Sequence, residues 1–258
     1  LFYAIAILLS LTGEGPAVRV FHYLGGLMPL TVALVWLYRR GSRAEQQDYW
    51  RRAVDFRRIG LLEYLVIFLS PPALMALSVL FDRLLSGSGA ALERPVEFLL
   101  DPLAIIPFAL FLLFFGPVPE ELAWRGYALD RLQANRGPLS ASLILGAFWV
   151  VWHLPLFFIA GTYQRGLGVG TPAFWLFLLA LVPQTFLMTW LFNRTQRSTL
   201  SAILFHFAVN FSGELVALSM RAEAFYVLFW HLAAAVIAAG WLRNRDRLKV
   251  SNPASPGA

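Results

Sequence analysis

Apolar runs of bilayer-crossing length recur along this chain, at about residues 20–38, 59–81, 98–115, 139–160, 173–193, 199–219 and 224–242. A spanning helix needs about 20 such residues, because each adds about 1.5 Å of rise. Within hydrocarbon every backbone N–H and C=O must be paired inside the protein, which restricts the options to helices and closed barrels. The runs here are continuous, not alternating, so a barrel is excluded. A shorter run over residues 1–11 makes an eighth helix if the numbering starts inside a span. The expected fold is an all-α membrane protein, a polytopic bundle of about eight transmembrane helices, the first of them truncated. Residues 1–250 are expected to form one transmembrane domain, and residues 251–258, with two prolines and little charge, a disordered tail.

Composition agrees. The chain is 59% apolar and 14% charged, whereas a soluble domain is nearer half and a quarter. The absence of cysteine removes disulfides, thiolate nucleophiles and Cys-based metal sites. A net charge of +6 in such a chain reflects topology, not nucleic-acid binding. The loop from Arg39 to Arg58 is rich in arginine, and placing it in the cytoplasm fixes the other loops by alternation. Of the 21 Lys and Arg, the outer segments then hold Arg19, Arg83, Arg94, Arg165 and Arg221 alone, as the positive-inside rule requires. Pro71-Pro72 is expected to kink or break the 59–81 helix. Ser86-Gly87-Ser88-Gly89 is expected to be a flexible connector.

Charges in so apolar a chain need a reason, and the densest group is Gly116-Pro117-Val118-Pro119-Glu120-Glu121-Leu122-Ala123-Trp124-Arg125. Pro119 suits the first position of a helix. Glu120 and Glu121 then fall in the first turn, where the helix dipole favours carboxylates. Glu121 and Arg125 are four apart and share a face, while Glu120 points about 100° away. The expectation is that Arg125 holds Glu121 and that Glu120 is left free for chemistry.

Ionisable groups inside spans are functional candidates because their desolvation must be compensated. His153 lies in Trp149-Val150-Val151-Trp152-His153-Leu154-Pro155, where Pro155 frees the Val151 carbonyl and permits local irregularity. His206 and Asn210 are four apart on one face of an otherwise apolar helix. Such residues also serve as interhelical hydrogen bonds. Glu214 extends that face outward and suits a structural or solvated role. Glu63 lies near the inner end of its span, within reach of water or an arginine of the 39–58 loop. His22 and His231 have no constellation and suit interfacial or bonded core positions. Trp50, Trp124, Trp190 and Trp241 fall near span ends, as interface anchors do.

Two glutamates, an arginine, two histidines and an asparagine make a hydrolytic inventory without a protein nucleophile, since no Ser sits in a GxSxG context. Water is then the attacking group, held and deprotonated by a carboxylate with a His. A His and an Asn can donate to a developing oxyanion. Two His and a carboxylate can also bind zinc, although HExxH spacing is absent.

Glu120-Glu121 with Arg125, then Trp149 four residues before His153, then His206 with Asn210, resembles the CPBP family of intramembrane proteases. That family comprises CAAX prenyl endopeptidases of the Ras-converting type and bacteriocin-processing or immunity-related relatives. The resemblance covers about residues 98–220, the expected catalytic core, and departs at Trp149, where the family commonly has Phe. It implies an intramembrane endopeptidase acting on membrane-associated, prenylated CAAX-type substrates. By that analogy Glu120 and His153 activate water, His206 and Asn210 line the oxyanion site, and Glu121, Arg125 and Trp149 support them. The family is often labelled metalloprotease. A mechanism without a cofactor is the preferred reading, and if a metal binds, zinc on Glu120, His153 and His206 is the alternative. The expected partners are the lipid bilayer and a membrane-associated substrate, with no nucleic acid. The expected location is the plasma membrane of a prokaryote, with the site open to the cytoplasmic side. Two other readings use the same residues: a non-catalytic membrane immunity or scaffold protein, and a proton-coupled transporter. The transporter predicts paired broken helices with repeat symmetry, and no repeat is visible.

Overall fold

A computed structural model describes residues 1–243, which fold as helices joined by short turns. The chain begins with α1 (Phe2–Ser10), α2 (Pro16–Gly26), α3 (Met28–Arg40) and α4 (Arg43–Val54). The long α5 (Leu61–Leu84) follows, then α6 (Glu93–Leu100), α7 (Ile105–Phe115), α8 (Pro117–Ala123) and α9 (Asp130–Asn135). The remainder is α10 (Pro138–His153), the short α11 (Tyr163–Leu167), α12 (Pro172–Arg194), α13 (Thr199–Leu215) and α14 (Met220–Arg243). A single antiparallel pair, β1 (Ala90–Ala91) with β2 (Ala217–Leu218), is the sheet among the described residues.

Six helical stretches are long and apolar enough to cross a membrane: 16–40, 61–84, 102–135, 138–158, 172–194 and 220–243. The polytopic all-α architecture is therefore present. The count of eight is not reached by this measure. α13 is 17 residues and α1 is nine, which at about 1.5 Å per residue falls short of a bilayer core for α1. The expected tail at 251–258 lies outside the described residues.

Helix α12 is the centre of the bundle, buried along most of its length against α10, α13 and α14. Its Phe186, Leu187, Met188 and Leu191 join Trp149, Phe205 and Trp230 in the main apolar core. Gly146 on α10 lies in this contact, where a Cβ would meet the Val182 Cα at an ordinary 3.5 Å. Trp124 also belongs to this interior, edge-on to Trp152, not to an interface belt.

Three local expectations are corrected. Of the kink or break expected at Pro71-Pro72 the break does not occur: α5 is one continuous helix, because two missing N–H groups are tolerated where neighbours keep the helix packed. The Ser86–Gly89 connector is tied down. The buried Asp82 carboxylate accepts from the Gly89 amide and Ser219 hydroxyl and pairs with Arg221, while Gly87 N–H bonds the Asp82 carbonyl. The 39–58 segment contains α4, started by a Ser42–Glu45 capping box, a signature with a clear mechanism.

Candidate active site

The chain breaks at Gly116 and restarts as α8 at Pro117, which takes the first helical position in place of Pro119. Glu120 follows in the first turn and its amide bonds the Gly116 carbonyl. Glu121 therefore sits two residues deeper in its helix than the sequence suggested. Directly after α8 the backbone widens into a π turn over Trp124–Leu129. Such turns are rare and concentrate at functional sites.

Glu121 and Arg125 are both fully buried. Arg125 Nη1 lies 2.9 Å from each Glu121 oxygen and donates to Oε1. Its Nη2 donates to the Thr185 hydroxyl at 3.3 Å, which in turn donates to the Leu181 carbonyl. The expected pair is thus present, and Glu121 carries a second load: His206 Nδ1 lies 2.9 Å from Oε1. A carboxylate accepts, so Nδ1 carries the proton.

Glu120 is not free of bonds. The Trp149 indole N–H donates to its Oε2 at 2.7 Å. The Trp149 ring meets the His153 ring at 5.4 Å, the His206 ring at 5.3 Å and the Arg125 guanidinium at 5.1 Å. One buried indole thus touches all the other charged or imidazole groups of the motifs except Glu121. Sequence reasoning placed Trp149 as support and missed its N–H, whose target is set by the packing of α10 on α8.

His153 closes α10. Pro155 cannot donate to the Val151 carbonyl, and the Leu154 N–H takes that carbonyl instead, tightening the chain into a 3-10 turn over Leu154–Phe158. The ring Nδ1 lies 2.8 Å from the Trp149 carbonyl. A carbonyl can only accept, so Nδ1 is the N–H and the Nε2 lone pair is left open. Among the described residues neither His153 nor His206 uses Nε2 in a hydrogen bond. Asn210, half-buried on α13, reaches the break before α8, where its Nδ2 lies 3.8 Å from the place a Gly116 Cβ would take.

Helix α4 grips this centre from the other side. Tyr49 O–H donates to the Leu122 carbonyl at 3.0 Å, and Arg52 Nη2 to the Gly126 carbonyl at 3.1 Å. The wider π turn disturbs the regular ladder, and buried carbonyls there need donors. Arg52 is buried and pairs with Asp48 at 2.9 Å and Asp130 at 3.6 Å. Gly126 is glycine for room: a Cβ would stand 3.1 Å from the Tyr49 ring.

The remaining polar residues lie elsewhere. Glu63 pairs with Arg194 at 2.9 Å, not with the 39–58 segment. Glu214 pairs with exposed Arg94 at 3.4 Å. His231 Nδ1 bonds the Val227 carbonyl, and His22 stacks beside Tyr23. Among the described residues no three His, Asp or Glu side chains are grouped to hold a metal ion.

Two comparisons bear on this geometry. Residues 102–212 match the family model described as Type II CAAX prenyl endopeptidase Rce1-like. The chain is also 30% identical over 233 residues to CAAX prenyl protease 2 of Methanococcus maripaludis, covering 89% of this chain and 84% of that protein. The chain belongs to the Rce1-like CAAX prenyl endopeptidase family. It is an integral membrane protease. The family match runs from the start of the α7 stretch to the end of α13's polar face, and so takes in Glu120, Glu121, Arg125, Trp149, His153, His206 and Asn210. Helix α4, which holds the π turn, lies outside the matched residues.

Proposed function

We propose that this protease cleaves a C-terminal peptide from prenylated, CAAX-type membrane proteins, using water activated by Glu120 and His153. The observation that carries this reading is the division of bonds between the two glutamates. Glu121 is committed to Arg125 and His206, whereas among the described residues Glu120 uses one oxygen only, for the Trp149 indole whose ring also meets His153, and the His153 Nε2 is open. A water between that oxygen and Nε2 loses its proton to Glu120 as its oxygen attacks the scissile carbonyl carbon. Asn210 donates to the resulting oxyanion at any pH. His206, with its Nδ1–H on Glu121, adds an Nε2–H donor only when its ring is protonated. Glu120 then passes the proton to the leaving nitrogen as the C–N bond breaks. Arg125, Thr185 and Trp149 fix the carboxylates and imidazoles in place.

No step here requires a metal. The catalytic core is assigned to residues 98–220 within one transmembrane domain. The arginine distribution supports a site open to the cytoplasmic side of a prokaryotic plasma membrane. The name of the Methanococcus relative supports the prenylated substrate.

The test is cleavage of a prenylated CAAX peptide by the purified protein in liposomes, with and without a strong chelator, beside Glu120→Ala. Cleavage that survives chelation and is lost in the variant is expected. Loss on chelation with recovery on zinc would overturn the metal-free route. A folded wild type that leaves the peptide intact would overturn the substrate assignment.

A further inference from the structure

Helix α4 has two faces with different work. Tyr49, Arg52 and Ala53 face inward and are buried. On the outward side, Arg43, Gln46, Gln47, Trp50 and Arg51 join Tyr38 of α3 around a cavity of about 480 Å³, within the size range of about 300–1,000 Å³ typical of ligand sites.

The charge of this cavity is uncompensated. The two carboxylates of α4 are both turned away from it: Glu45 accepts from Ser42 in the capping box, and Asp48 pairs with Arg52, Arg58 and Arg197. Among the described residues neither Arg43 nor Arg51 pairs with a carboxylate, and the same holds for Arg39 and Arg40 at the end of α3. The Trp50 indole donates to the Tyr38 oxygen at 2.9 Å. That bond fixes the phenol and leaves its O–H free to donate. Gln46 gives its amide to the Gly41 carbonyl at 3.0 Å, so two guanidinium groups, a phenol O–H and the Gln47 amide line the cavity as donors, the chemistry that takes phosphate oxygens.

Position selects the source of the phosphate. The candidate span 16–40 ends at Arg40, so the cavity begins where the apolar helix stops. Val35, Trp36 and Tyr38 are exposed on the adjoining turns, an arrangement that sets aromatic rings at headgroup level and leaves apolar side chains for acyl tails.

We propose that this cavity binds the phosphodiester headgroup of an anionic phospholipid, with Arg43 and Arg51 on the phosphate and Tyr38 and Trp50 against the glycerol backbone. The site goes beyond the proteolytic reading and stands independently of it. The bound lipid lies on the outer face of the same helix whose inner face holds the π turn.

Native mass spectrometry of the full chain, released from detergent after incubation with equal phosphatidylglycerol and phosphatidylcholine, tests this. The wild type is expected to retain phosphatidylglycerol preferentially. The double variant Arg43→Gln, Arg51→Gln should lower that preference on the order of tenfold, the effect of about 1.4 kcal/mol. Arg57→Gln, an exposed arginine outside the cavity, should leave it unchanged. All three proteins should unfold at the same temperature, since the substituted side chains are exposed. Equal retention of both lipids by the wild type, or an unchanged preference in the double variant, would overturn the proposal. Displacement of phosphatidylglycerol by millimolar inorganic phosphate would also overturn it, by showing a site for free phosphate.

Discussion

Glu120 accepts one hydrogen bond from an indole, while Glu121 holds a guanidinium and an imidazole. Their substitutions should therefore fail differently. Glu121→Gln leaves the fully buried Arg125 without its counter-charge, which costs about 3–5 kcal/mol when one partner of a buried pair is removed. Thermal unfolding should show a large loss of stability, with activity lost alongside it. Trp149→Phe keeps a ring against Arg125 and both imidazoles but removes the N–H on Glu120. It should unfold near the wild-type temperature and lose kcat by about tenfold or more, the scale of a hydrogen bond to a charged group. The Glu121–Arg125 contact was legible because both residues sit on one helix at a spacing of four. The bonds from His206 to Glu121 and from Trp149 to Glu120 join different helices. Their partners depend on how far α13 and α10 slide along α8, which no local pattern encodes.

At the scale of the element, α4 and the π turn act together. Tyr49→Phe removes a donor from the buried Leu122 carbonyl, at a cost of about 1–3 kcal/mol. Because that carbonyl lies one residue from Glu121, kcat should fall more than KM changes, which steady-state kinetics would show. The N-terminus of α4 carries a pH signature of its own. The Ser42 amide and hydroxyl hold the Glu45 carboxyl below the usual glutamate range. A depressed carboxyl pKa stabilises the fold above the unfolded value of about 4.3 and loses that contribution as pH falls through the folded pKa. Melting temperatures followed downward from neutral pH should therefore fall more steeply for the wild type than for Glu45→Gln in the acid range. The Ser42–Glu45 spacing carries the capping-box pattern in the sequence itself. The π turn had no signal: nothing in Trp124–Leu129 distinguishes it from an ordinary helix until Arg52 donates to its Gly126 carbonyl and Tyr49 to the Leu122 carbonyl just before it. Gly87 and Gly89 looked like a free connector for the same reason, since their partner Asp82 lies at the end of a span.

For the whole molecule, long apolar runs made the helical bundle legible, whereas Pro and Gly marked boundaries only in places: Gly116-Pro117 separates α7 from α8, but α5 continues through Pro71-Pro72 and α12 through Pro183. The number of crossings was less so. α13 satisfies the core with 17 residues, and the 98–115 run divides between α6 and α7 at Asp101-Pro102. The proposed orientation rests on the arginines, and a chain without cysteine makes it easy to test. In inverted and right-side-out vesicles, Ser88→Cys and Gln47→Cys should react with an impermeant thiol reagent from opposite sides, with Gln47→Cys on the cytoplasmic one. Reaction of both from one side would contradict the assigned topology. The most direct test of the catalytic assignment is single-turnover cleavage of a prenylated CAAX peptide by wild type and Glu120→Gln in liposomes, with thermal unfolding of both. The expected result is a fall in rate of about 10²–10⁴-fold, the range for a general base, at an unchanged unfolding temperature. A folded Glu120→Gln protein that cleaves at nearly the wild-type rate would contradict it and return the role of base to another residue.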